Sequence, residues 1–245
     1  MTEDEFRKTA EILQGKTQYL YYHVMGEPLT HPLLCDFIGI ANEMGYKSCI
    51  TTNGSLLEKK GDELIASGVY KVNISVHSFE DGNKEEHIKY IDSCIRFADK
   101  ASKNGVLTVF RLWNNGHDGG LNDETLSLMQ EKLKGEWKKG TRGYRIRHKL
   151  HLEYSERFDW PDMGAENGGK NVFCYGLKDH FGILCDGTVI PCCLDHEGDI
   201  DLGNIFEMPL DEILSGNRAV SIKEGFQNRC AVEELCQKCG YARRF

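Results

Sequence analysis

The 245-residue sequence has no apolar run approaching the roughly 20 residues that a membrane-spanning helix needs. It also has no excess of positive charge: 30 Lys and Arg stand against 38 Asp and Glu, for a net charge of −8. Such a surface is a poor partner for a nucleic-acid backbone or an anionic membrane, so neither is expected. Nor does the chain open on a secretory signal, since its first residues are Met1-Thr-Glu-Asp-Glu5. These absences point to the cytoplasm. What remains is the balance of a globular protein, 40% apolar and 28% charged residues, long enough for one large domain or a medium one plus a small one.

Ten cysteines are many for such a protein. Disulfides are rare in the cytoplasm, and grouped cysteines there signal metal or redox chemistry. Cys35, Cys49 and Cys94 are scattered through apolar, periodic stretches and read as small buried hydrophobes. The other seven fall between Cys174 and Cys239.

Before that cysteine-rich stretch, strands and helices alternate. Thr2 and Glu5 form a capping box for a first helix with Phe6, Ala10 and Leu13 on one face. Tyr19 to Val24 reads as a buried strand, followed by the loop Met25-Gly-Glu-Pro-Leu-Thr-His-Pro32 and a helix that ends at Gly45. The unit then repeats: strands at 47–51, 69–76 and 106–113, helices at about 57–67, 85–104 and 123–134, and a last strand near 151–154. Such alternation implies right-handed β-α-β units and a parallel sheet. Five or six units suggest a full or partial barrel with its site at the carboxyl ends of the strands. The loops at those ends hold Glu27, Asn53, His77 and Asn114. His77 reads as a polar histidine with its partners satisfied, and the basic run Arg142 to Lys149 as a solvated loop.

Trp160 to Lys170, with Pro161 and three glycines, reads as a linker. Beyond it, 182–191 is a hairpin turning at Asp186-Gly187, and 209–214 and 220–226 read as short helices. The expected domains are 1–165 and 166–245. In the second, Cys174 is followed by twelve residues, Gly187, four residues, then Cys192 and Cys193; Cys230 and a Cys236-x2-Cys239 pair close the set. Four thiolates converging from two distant segments suit a tetrahedral zinc or a cubane cluster, and spacing does not separate the two.

The Cys174–Gly187–Cys192 pattern with its Cys-x2-Cys resembles the SPASM and twitch domains of radical S-adenosylmethionine (SAM) enzymes. Gly26-Glu27-Pro28 resembles the methionine-binding motif of that family, and Thr51-Thr-Asn-Gly-Ser-Leu-Leu57 resembles the segment after its next strand. The segments His23 to Pro28, Asn73 to Ser78, Arg111 to Asn114 and Leu235 to Phe245 resemble one radical SAM/SPASM group in particular. The resemblance implies an α/β fold: a partial (β/α)6 TIM-type barrel lacking its first strand, then a SPASM/twitch-like domain. It implies an auxiliary [4Fe–4S] cluster on Cys174, Cys192, Cys236 and Cys239. Cys193, beside Cys192 on a strand, should face the other way. It further implies SAM as the second cofactor of the full-length form, held by Gly26, Glu27, Pro28, Asn53, Ser75 and Arg111. An electron donor such as flavodoxin or ferredoxin and a small-molecule or peptide substrate are the partners it implies.

The family's Cys-x3-Cys-x2-Cys motif precedes the first barrel helix, and no three cysteines of residues 1–245 have that spacing. Cys35 and Cys49 cannot replace it, being thirteen residues apart on a helix and a strand. The expectation is an N-terminally truncated chain, inactive in SAM cleavage, with an unpaired edge on its first strand. A metal-binding or electron-carrying scaffold is the competing reading.

Overall fold

A computed structural model describes residues 1–79 and 83–244. The chain divides into two compact units. One comprises Gln14–His23 and Glu27–Arg157; the other comprises Met1–Leu13, Val24–Gly26 and Phe158–Phe245.

The first unit is an α/β layer on a seven-stranded, mostly parallel sheet. Its elements in chain order are β1 (Tyr19–Tyr21), α2 (Leu34–Glu43), β2 (Lys47–Thr52), α3 (Leu57–Ala66), β3 (Lys71–Ser75), α4 (Lys84–Lys103), β4 (Leu107–Asn115), α5 (Leu121–Lys132), β5 (Lys138–Gly140), β6 (Gly143–Arg147) and β7 (Leu150–Glu156). α1 (Glu3–Ile12), which belongs to the other unit, carries the expected Thr2–Glu5 capping box. The strand order is β1-β2-β3-β4-β7-β6-β5. The first five are mutually parallel, and β6 and β5 add on antiparallel.

Two sequence expectations need correcting here. The strand at Tyr19 is three residues long and lies at the sheet edge, not buried, with Tyr19 38% and Tyr21 57% exposed. The basic run 142–149 is not a loop. Tyr144 and Ile146 of β6 pack in the core and Arg145 is exposed, while Arg147, past a register shift, is part-buried and bonds Asp99 and Ser102 of α4.

Alternation also gives the sheet two different faces. Ile50, Val72, Ile74, Phe110, Leu112, Leu150 and Leu152 point to one side and pack with Ile38, Leu64, Ile91, Cys94 and Ala98 of the helices. The other side carries Thr51, Asn73, Val109 and His151 in one register row, and Ser75, Arg111 and Glu153 in the next. The polar side chains at the carboxyl ends of the strands thus follow from strand period and register alone. Cys49 and Cys94 are fully buried as expected, and Cys35 is half-buried.

Gly54 shows how tightly the end of β2 is packed. Its φ is +81°, and a Cβ there would come within 2.7 Å of the Cys94 Sγ. Left-handed backbone and a blocked side chain act together. Gly54→Ala is expected to lower stability by about 2 kcal/mol or more, read as a shift in urea midpoint; an unchanged midpoint would contradict this packing.

The second unit holds α1, the hairpin β8 (Gly182–Ile183) and β9 (Val189–Ile190), and the helices α6 (Leu210–Ser215), α7 (Asn217–Gln227) and α8 (Glu234–Gln237). The Asp186-Gly187 turn is present, with Gly187 at φ +93°. Its core gathers Val172, Ile200, Ile222, Phe226, Leu235 and Cys239, with Cys174 and Cys236 packed against it. Among the described residues, no helix is long and apolar enough to cross a membrane.

Candidate functional site

At the ends of β1 and β2 the structure draws several of the expected residues together. Glu27 stands just before a 3-10 turn that starts at Pro28. Its Oε1 accepts hydrogen bonds from the Leu29 N–H (3.0 Å) and the Thr52 hydroxyl (2.8 Å), and its Oε2 accepts one from the Asn53 N–H at 2.7 Å. A carboxylate offers about four lone-pair sites. Three are used, and one on Oε2 is left for a further donor such as an ammonium. Asn53 turns its side chain back on Ser55, accepting from its N–H at 2.9 Å and its hydroxyl at 2.6 Å. Gly26 has φ +85° and open space around its Cα.

Ser75 and Arg111 are direct register partners on β3 and β4. The Arg111 guanidinium lies 4.4 Å from the centre of the Trp113 ring, and its carbonyl oxygen is 3.0 Å from His77 Nδ1. His77 is thus a partnered polar histidine, as expected. Asn114 Oδ1 accepts from Asn122 Nδ2 at 3.0 Å.

Tyr90 of α4 is the connection that the sequence did not disclose. Its hydroxyl donates to the Asn53 carbonyl at 2.6 Å and approaches that of Ser75 at 3.4 Å. It ties the ends of β2 and β3 together. Thr52 was missed because alternation assigns it to the helix side. His23 is the third addition: burial, with the Arg111 charge beside it, holds its imidazole far below the usual range, at about 4.

Glu27 therefore caps its own turn with one charge-assisted hydrogen bond and ties that turn to the end of β2 with two more. Glu27→Gln keeps the size but turns an amide NH2 toward donors, so a loss of about 2–3 kcal/mol is expected in chemical denaturation. A variant as stable as the parent would show that this network contributes nothing.

In the second unit the cysteines converge. The thiol of Cys174 lies within electrostatic reach of Cys239, that of Cys192 within reach of Cys174, and that of Cys236 within reach of Cys174, Cys192 and Cys239. Burial pushes all four thiols up, Cys192 to about 12, and for Cys236 the neighbouring sulfurs add to the effect. Against this, backbone N–H groups aim at the sulfurs: Gly176 and Tyr175 at Cys174 (Gly176 N to Sγ 3.4 Å), Leu194 and Asp195 at Cys192, Tyr241 and Ala242 at Cys239. Chain that turns its amides toward a sulfur is built for a thiolate. Among the described residues, no group of three or more His, Cys, Asp or Glu is arranged to hold a single metal ion.

One expectation is corrected. Cys192 and Cys193 lie beyond β9, in a bend and a turn, so strand alternation does not decide between them. Cys192 lies within electrostatic reach of Cys174, Cys193 and Cys236. Cys185 is exposed and Cys230 half-buried.

Residues 174–240 match the family model of SPASM, described as an iron–sulfur cluster-binding domain. The whole chain is similar in fold to BtrN in complex with AdoMet and 2-DOIA, with a TM-score of 0.56 and 19% identity over 98% of this chain and 80% of that one. It is likewise similar to native anSMEcpe with bound AdoMet, with a TM-score of 0.55 and 17% identity over 98% and 80%. No curated protein matches it in sequence. The chain thus shares the fold of these two structures, and its residues 174–240 match the SPASM family.

Proposed function

We propose that Cys174, Cys192, Cys236 and Cys239 hold an auxiliary [4Fe–4S] cluster, and that the first unit is the body of a partial radical SAM barrel. The observation that carries this reading is the convergence of four thiols, one buried and three half-buried, three of the four facing backbone N–H groups, inside the matched segment. The donor set fits the group: four soft thiolates and no hard oxygen ligand suit iron–sulfur chemistry. When bound, the cluster supplies one-electron transfer. The chain's own residues exclude water from it through Val172, Phe226 and Leu235, and offset its negative charge with amide dipoles.

In a full-length form, the open lone pair of Glu27 receives the amine of SAM beside Gly26 and Pro28. Asn53, Ser75 and Arg111 line the neighbouring strand ends, and Arg111 suits a carboxylate because its guanidinium offers two parallel donors. The AdoMet bound in the two similar structures supports SAM as the ligand. Reductive cleavage of SAM, driven by a donor such as flavodoxin or ferredoxin, would then act on a small-molecule or peptide substrate. Residues 1–245 by themselves hold no Cys-x3-Cys-x2-Cys trio and are inactive in that step. The cluster reading is tested by electron paramagnetic resonance of the anaerobically reconstituted chain. A signal arising on dithionite reduction and integrating to about one spin per chain is expected; a silent sample loaded with stoichiometric zinc would overturn it.

A further inference from the structure

The last turns of the chain place one arginine beside the cysteine set in a seat that only glycine can provide. A Cβ built on Gly168 would fall on the guanidinium of Arg243, so the flat cation rests against the bare Cα. Arg243 Nη2 points to the carbonyl oxygen of Gln237 at 3.4 Å, and Gln237 is the central part of the loop between Cys236 and Cys239. The same carbonyl accepts from the Gly168 N–H at 3.1 Å. The side chain of Gln237, itself buried, is held at both ends: Asn167 Nδ2 donates to its Oε1 at 2.8 Å, and its Nε2 donates to the Ala231 carbonyl at 3.1 Å. The Asn167-Gly168 segment therefore clasps the Cys-x2-Cys loop and seats the arginine in one movement. The Arg243 charge acts on the Cys239 sulfur. Among the described residues it forms no ion pair with a carboxylate. Its neighbour Arg244 is instead stacked over Phe158 and Tyr241, at 5.5 Å from each ring centre.

We infer that Arg243, positioned by Gly168, is the fixed counter-charge that tunes the reduction potential of the cluster on Cys174, Cys192, Cys236 and Cys239. This rests on the cluster reading above. The physical argument is one of sign. Reduction adds one electron and makes or breaks no bond in the protein. A fixed positive charge near the sulfurs favours the more negative, reduced state, so it raises the potential. Because Arg243 is exposed, solvent screens its field and the effect is moderate.

The test is a dithionite titration of the reconstituted chain with redox mediators, followed by visible absorption and electron paramagnetic resonance. At fixed solution potential, Arg243→Gln is expected to lower the reduced-to-oxidised ratio three- to tenfold, roughly 30–60 mV at 59 mV per tenfold for one electron. Arg243→Lys, which keeps the charge, should stay closer to the parent. Gly168→Ala keeps the arginine but unseats it, and should move the potential in the same direction as Arg243→Gln. Arg244→Gln changes the net charge equally without that seat and serves as the control. An Arg243→Gln shift no larger than that of Arg244→Gln, or one of opposite sign, would overturn the inference. So would a Gly168→Ala chain with the parent potential, a result that stands even where Arg243→Gln fails to hold iron. Failure of the cluster reading would show separately, as absence of iron and sulfide from the parent chain.

Discussion

Replacing Cys192 by alanine is expected to strip the reconstituted chain of its iron, from about four per chain to less than one, while Cys193→Ala keeps nearly all of it. The two cysteines are neighbours, so composition, expression and general reactivity are matched. They differ in surroundings. Cys192 shares an electrostatic environment with Cys174 and Cys236 and faces the amides of Leu194 and Asp195. Alanine at Cys174, Cys236 or Cys239 should behave like alanine at Cys192. Because the binding free energy of a metal group that the unfolded chain cannot assemble is also folding free energy, the same four variants should lose stability together. Retention of iron in Cys192→Ala with loss in Cys193→Ala would exchange the two in the ligand set.

Supplied with SAM and dithionite, the reconstituted 245-residue chain is expected to form no 5′-deoxyadenosine above a no-protein control. The reason is the distribution of thiols. A SAM-cleaving cluster needs three thiolates at one strand end and an open iron for SAM. Near Glu27 the structure offers Cys35, half-buried on α2, and Cys49, fully buried on β2, and no trio of the required spacing lies within residues 1–245. Under the proposed cluster reading the four C-terminal thiols would all be engaged on one cubane and leave no open iron. Clear production of 5′-deoxyadenosine would show that one of these sites does what its thiols do not suggest.

Much of the first unit was legible because a parallel sheet buried under helices prints itself in the sequence. The runs at 47–51, 69–76 and 106–113 are apolar on the helix side, and α2, α3 and α4 are each followed by a glycine in left-handed conformation, Gly45, Gly68 and Gly105. What escaped were elements whose pattern is weak. β6 carries three charges in or beside five residues, and only its place next to β7 makes Tyr144 and Ile146 core residues. β1 read as buried because Tyr-Leu-Tyr-Tyr is apolar, and edge position is a property of the sheet rather than of the strand. In the site, Glu27 and Asn53 were visible as polar residues at strand ends. Their joint hydrogen-bond network through Thr52 and Tyr90 depends on register between segments 25 to 37 residues apart, which no local pattern encodes. Of the cysteine set, spacing gave the candidates but not the choice between Cys192 and Cys193, which the two alanine variants decide.

The claim on which the rest depends is that the C-terminal thiols hold an iron–sulfur cubane. Iron and acid-labile sulfide, measured per chain after anaerobic purification and reconstitution, test it most directly. About four of each, lost on oxygen exposure together with the brown absorption, is the expected result. Stoichiometric zinc with neither iron nor sulfide would contradict it.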